Sequence, residues 1–182
     1  MVQIQSCVSK SRSDDRDLLG HGWRRDISLM RIVPFEPRHA EAWRTLNEAW
    51  ISKHFAIEAK DRVVLDDPAG QILAKGGRIF MAEQDGEAIG CVALIAMEGG
   101  GFEVAKMTVA EAARGTGLGR SLMQACIDEA VRAGAPRLYL ETNSSLAPAI
   151  GLYRAMGFVD LTPEMRPPSD YARCDVWMER VF

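Results

Sequence analysis

Residues 102–142 read FEVAKMTVAEAARGTGLGRSLMQACIDEAVRAGAPRLYLET, and the order of patterns within them decides the fold. Phe102–Val109 is a short β-type run. Arg114-Gly115-Thr116-Gly117-Leu118-Gly119 follows as a glycine-rich turn. A helix is predicted over Leu118–Arg132, because Leu118, Leu122 and Cys126, with Met123, Ile127 and Ala130, recur at spacings of three and four. Gly134 and Pro136 stop it. Arg137–Thr142 (RLYLET) then reads as another strand, giving a β-α-β unit.

Working outward, two strands precede this unit. Arg78–Gln84 and Glu87–Ala96 flank Asp85-Gly86, a strong hairpin signal. Further upstream, residues 29–34 fit a first strand, and Pro37 opens a helical pattern with Ala40, Trp43, Leu46, Ala49 and Trp50 on one side. A second helix is expected over 57–65, ended by Asp67-Pro68, and a short helical turn over 70–75. Downstream, residues 146–156 form a helix with Pro148 in its first turn, and residues 158–161 and 173–181 are the last strands. The expected fold class is α/β, a central mixed twisted sheet flanked by helices. Residues 29–182 form one domain, and residues 1–28, polar and mixed in charge, read as a disordered arm.

Composition narrows the function classes. The chain has 182 residues, 47% hydrophobic and 26% charged, which is enough to bury a core without disulfides or a structural metal. The net charge of −3 argues against a broad hold on nucleic acid or an anionic membrane. Cys7, Cys91, Cys126 and Cys174 form no CxxC pair and no zinc spacing with His21, His39 or His54, so no metal is expected. No run approaches ~20 apolar residues, and a cytoplasmic location is expected.

The 114–119 turn has the chemistry of an anion cradle. Glycines let the backbone take positive φ and approach a ligand. Successive amides then converge, and the helix that follows adds free N–H groups and its positive end. Arg114 and Arg120 flank the turn and are suited to phosphate oxygens. The letters exclude a P-loop, which needs Gly-Lys-Ser/Thr, and the GxGxxG dinucleotide fingerprint, since Gly115, Gly117 and Gly119 are spaced GxGxG. A bare glycine turn that only starts a helix stays open on this reading.

Taken with its neighbours, the pattern resembles the GNAT superfamily of acetyl-CoA-dependent N-acetyltransferases. The strand before residue 109, Arg114-x-x-Gly117-x-Gly119, the strand RLYLET and the segment LETNSSLAPAIGLYRAMGF (140–158) occur in the family's order, over about residues 29–182. The resemblance implies acetyl-CoA as acyl donor, bound between strands splayed apart at 104–109 and 137–142. It implies pantetheine contacts from the backbone of Met107, Thr108 and Val109, and pyrophosphate contacts from Arg114, Gly115, Thr116, Gly117, Leu118, Gly119 and Arg120. Asn143 matches a position that contacts pantetheine or substrate, Tyr153 a tyrosine beside the thioester sulfur, and Glu103 a glutamate that acts as general base.

Each role has a plainer alternative in the residues themselves. Glu103 either takes the amine proton or faces solvent or pairs with a lysine such as Lys106. Tyr153 shares a helical face with Leu146, Ile150 and Gly157, so it is either core or the acid for the departing sulfur. Asn143, before Ser144-Ser145, is either a ligand contact or a turn cap. Tyr171 and Arg173 either shape the acceptor pocket or pack the surface, and Trp43, Trp50 and Trp177 serve a core or an interface. No cysteine has a visible histidine partner, which favours direct transfer over an acyl-enzyme. The acceptor, a small-molecule or peptide amine, is expected to enter between the first helices and the 163–171 loop. The rival functions are a non-catalytic acyl-CoA-binding sensor and a transferase of longer acyl groups. The oligomeric state is left open, a homodimer being one option.

Overall fold

The computed structural model describes residues 30–182, so the arm expected over 1–28 lies outside the described residues. Seven strands form one sheet: β1 (Arg31–Pro34), β2 (Arg78–Gln84), β3 (Glu87–Ala96), β4 (Phe102–Val109), β5 (Arg137–Thr142), β6 (Val159–Asp160) and β7 (Val176–Val181). Their spatial order is β1-β2-β3-β4-β5-β7-β6, and β4 with β5 is the parallel pair in an otherwise antiparallel ladder. The parallel pair is joined by helix α4 (Leu118–Arg132), as a β-α-β crossover requires. Helices α1 (Ala40–His54), α2 (Ala59–Asp66) and the single turn α3 (Pro68–Gln71) lie between β1 and β2, and α5 (Ala147–Ala155) follows β5.

Both faces of the sheet are covered. Alternate residues on β2 and β3 go to opposite cores, as the period of two demands. Ile79, Met81, Cys91 and Ala93 pack with Trp43, Ile51, Val64 and Leu65 of α1 and α2. Ala82, Val92 and Leu94 pack with Leu118, Leu122, Met123, Cys126 and Ile127 of α4. Each large apolar side chain buried here contributes about 1.5–3 kcal/mol. The apolar stripe read in residues 118–130 is thus the buried face of α4. Trp43 is core, whereas Trp50 and Trp177 are half-buried.

Several expected boundaries move for local reasons. The second helix starts at Ala59 rather than 57, because Glu58 is extended and its N–H bonds the Asp61 carboxylate at 2.9 Å. The last strand starts at Val176 rather than 173, because Arg173 is drawn onto α2 and Asp175 accepts hydrogen bonds from Ser144. β6 shrinks to two residues.

Candidate active site

The decisive distortion is in β4. Cys91 stands opposite Thr108 but Ala93 opposite Ala105, so Lys106 and Met107 together face the single residue Val92. Lys106 takes φ 53, the left-handed region that a non-glycine residue rarely adopts. Such a bulge bends the strand that carries it. β4 accordingly pairs with β5 only at Phe102–Leu138 and Glu103–Tyr139. Beyond Glu103 the two strands part, and β5 continues its ladder with β7 instead.

A cavity of about 570 Å³ opens in this gap. Residues 103–109 of β4 form one wall, and Glu141, Thr142 and Asn143 at the end of β5 form another. One end is the 114–120 turn. Gly115 and Gly117 take φ 78 and 88, and a Cβ at either would meet nothing within 4 Å, so the turn is open to a ligand. Among the described residues the amides of Gly115 to Arg120 have no backbone acceptor, and Ser121 is the first to bond back, to Gly117 at 3.1 Å. Thr116 braces the turn by donating to the Ala113 carbonyl at 2.8 Å. No acidic side chain lies in the first turn of α4. Arg114 and Arg120 line the same end. Six amides and two guanidiniums suit a diphosphate, so this end fits that part of a coenzyme A molecule. Arg120 also reaches the Met156 sulfur at 3.1 Å, which ties α4 to the end of α5.

The other end is built by α1, α2, the start of β4 and the segment before β7. Glu103 lines it, and the pairing with Lys106 allowed for in the sequence does not form. Lys106 instead donates to Asp61 at 2.7 Å and to the Tyr171 hydroxyl at 2.9 Å. Burial raises the Glu103 carboxyl above the ordinary carboxylate value, and the nearby Glu141 adds to the effect. Tyr153 lines the cavity from α5, beside Phe158 at 6.2 Å between ring centroids. Burial pushes its hydroxyl up to about 12. Asn143 makes the turn bonds considered for it and also has a place in the cavity wall. It lines the cavity, while its amide donates to the Arg173 carbonyl at 2.6 Å and its oxygen accepts from Ser145 at 2.9 Å. Cys174 also lines the cavity, and burial pushes its thiol up to about 11, far from a ready nucleophile.

The sequence reading missed the centre of this end, Asp61. It is fully buried. It accepts two bonds from Arg173, both at 2.8 Å, besides those from Lys106 and the Glu58 amide. Burial alone would raise its carboxyl, but the hydrogen bonds from Arg173 and Lys106 overcome this and hold it well below the usual carboxylate range. The available signal was an acid three and four residues before Val64 and Leu65, on the apolar side of α2. Glu141, Trp50 and Phe55, which also line the cavity, went unremarked as site residues.

Among the described residues no helix is long and apolar enough to cross a membrane, and no group of three His, Cys, Asp or Glu side chains is placed to hold a metal ion. The Acetyltransferase (GNAT) family matches residues 35–158. An IAA acetyltransferase of Azospirillum brasilense is 44% identical over 95 residues, 51% of this chain and 62% of the relative, so the match spans under two thirds of that protein's length. An uncharacterized N-acetyltransferase, YjgM, of Escherichia coli is 30% identical over 116 residues, 59% of this chain and 70% of that protein. A GNAT-family acetyltransferase structure from Staphylococcus aureus superposes with a TM-score of 0.78 at 18% identity, covering 84% of this chain and 99% of that one. YncA of Salmonella typhimurium, solved with its cofactor acetyl-CoA, superposes with a TM-score of 0.64 at 22% identity, covering 85% and 94%.

Proposed function

The chain belongs to the acetyltransferase (GNAT) family, and from that premise we propose that it transfers the acetyl group of acetyl-CoA directly to a primary amine. The observation that carries this reading is the run of free amides from Gly115 to Arg120, set at one end of the gap between β4 and β5. The coenzyme supplies an acetyl group activated as a thioester.

In this reading the amides of residues 115–120, with Arg114 and Arg120, hold the diphosphate. The backbone of Met107, Thr108 and Val109, which has no strand partner on the β5 side among the described residues, takes up the pantetheine arm as a strand would. An N–H near Met107 stabilises negative charge on the acetyl oxygen. Catalysis is mainly the positioning of amine against thioester.

Proton movements fall to two side chains. A primary amine has a pKa near 10 and is mostly protonated at neutral pH. Glu103, ionised, removes that proton directly or through water. The nitrogen lone pair then forms the C–N bond as the C–S bond breaks. Tyr153, protonated at neutral pH, gives its proton to the departing sulfur. The nitrogen, positively charged once the C–N bond forms, loses its second proton to water. Solvent also returns a proton to Tyr153 and takes one from Glu103, so one proton is released per turnover and the balance closes. The raised Cys174 thiol supports direct transfer over a cysteine acyl-enzyme.

Calorimetry with acetyl-CoA, together with release of free CoA thiol in the presence of a panel of amines, tests the proposal. Binding with amine-dependent thiol release is the expected result. A folded protein that binds no acetyl-CoA would refute it, and binding without turnover on any amine would favour the sensor.

A further inference from the structure

Charge at the Glu103 end of the cavity bears on which amine is accepted, given the acetyltransferase reading on which this inference rests. Six residue steps of strand run from Glu103 to Val109, at most about 20 Å, so this end is remote from the 114–120 turn. Four charged side chains line it: Glu103, Lys106, Glu141 and Arg173. The two cations are already satisfied. Asp61 holds Lys106 and both terminal nitrogens of Arg173, and Glu58 takes Arg173 again at 3.1 Å. A ligand carboxylate would have to compete with these buried partners.

The two carboxylates are not balanced in the same way. Glu141 accepts from the Tyr139 hydroxyl at 2.9 Å and from the Ser169 hydroxyl, both neutral donors that leave its charge in place. Among the described residues the Glu103 carboxylate has no hydrogen-bond or ion-pair partner. Lys60, whose charge also reaches Glu103, is bound by Asp170. The remaining walls here include Trp50 from α1, Phe55 just after it, and Tyr171. The segment that carries Tyr171 and Arg173 is bonded to α2 through Lys60–Asp170 and Asp61–Arg173.

From this distribution we propose that the acceptor is a small primary amine on an apolar stem that carries no carboxylate. The two acids attract the ammonium group, the rings take the stem, and a carboxylate on the stem meets Glu103 and Glu141 with no free cation among the described residues of this end to offset them.

Phenethylamine and phenylalanine differ only by the carboxylate, and comparing kcat/KM for the two tests the inference. Phenethylamine is expected to be preferred by about 30-fold or more, the size of one close like-charge interaction in a partly buried site. Glu141→Gln should narrow that preference by about 10-fold, while Glu141→Asp should retain most of it. Acetyl-CoA affinity by calorimetry reports whether each protein is folded. An equal or reversed preference in the wild type overturns the inference, as does a preference that Glu141→Gln leaves intact. Acetyl-CoA binding without transfer to either amine overturns it too, and leaves the family reading in place. Loss of acetyl-CoA binding in the folded wild type would instead remove that reading, and the inference with it.

Discussion

In the proposed reaction Glu103 and Tyr153 make opposite demands on pH, and both demands follow from burial. A base works in its ionised form, so activity that depends on Glu103 rises as pH rises through its pKa. Because that pKa is raised, the acid limb of kcat/KM should lie above the ordinary 4.5 of a glutamate. Glu103→Gln should lower kcat/KM by about 10²–10⁴-fold and abolish the limb, as read from a pH-rate profile. As the proposed acid, Tyr153 would work in its protonated form, and with its hydroxyl pushed up to about 12 it stays protonated through the useful range. No basic limb from this residue should therefore appear below about pH 10. Tyr153→Phe keeps the ring against Phe158, so it should lower kcat by about 10²-fold with little change in the thermal midpoint. That Glu103 and Tyr153 share one cavity was legible in the sequence through the motif order that carries the family resemblance. Their environments were not, because burial and the proximity of Glu141 come from chain segments far apart in sequence.

At the scale of the element, the 114–120 turn and α4 were legible because every signal they carry is local. Glycines at 115 and 117, the apolar stripe from 118 to 130 and the Gly134 stop all lie within about twenty residues. The bulge in β4 was not legible. It places Lys106 in the left-handed region with no glycine to mark it, and only the register against β3 reveals it. The segment before β7 was misread for a related reason. Residues 173–175 look like strand, but the Arg173 side chain is bonded to α2 and the Asp175 carboxylate to Ser144, so that of the three only Asp175 still bonds β5, at the Thr142 carbonyl. Gly117 gives the element-scale test. Its φ of 88 strains any L side chain, although a Cβ there would touch nothing within 4 Å. Gly117→Ala should therefore cost about 1–2 kcal/mol in urea unfolding, and should weaken acetyl-CoA binding by reorienting the amides, as read by calorimetry.

Over the whole molecule, a single carboxylate links chain segments more than a hundred residues apart. Asp61 joins α2 to the segment before β7 through Arg173, and to the bulge of β4 through Lys106. Asp61→Asn leaves two cations partly buried without their shared partner, and should cost about 3–5 kcal/mol in chemical unfolding. The sign of the pH effect follows from a pKa that is depressed on folding. The stabilisation is full above the ordinary 3.8 of an aspartate and is lost progressively as pH falls below it. Acid titration of the unfolding midpoint should show this decline in the wild type and a shallower one in Asp61→Asn. The short parallel contact between β4 and β5 has a further consequence. Among the described residues only two pairs stitch the β1–β4 half of the sheet to the β5–β7–β6 half by ladder bonds. A pantetheine arm lying along residues 107–109 would act as a removable seam, and the protein should breathe there when the seam is out. At one hundred times its dissociation constant a ligand adds about 2.7 kcal/mol to stability. Hydrogen exchange on acetyl-CoA addition should slow first at the amides of 104–109, so that the feel of its own substrate supply is written into how tightly the sheet is closed.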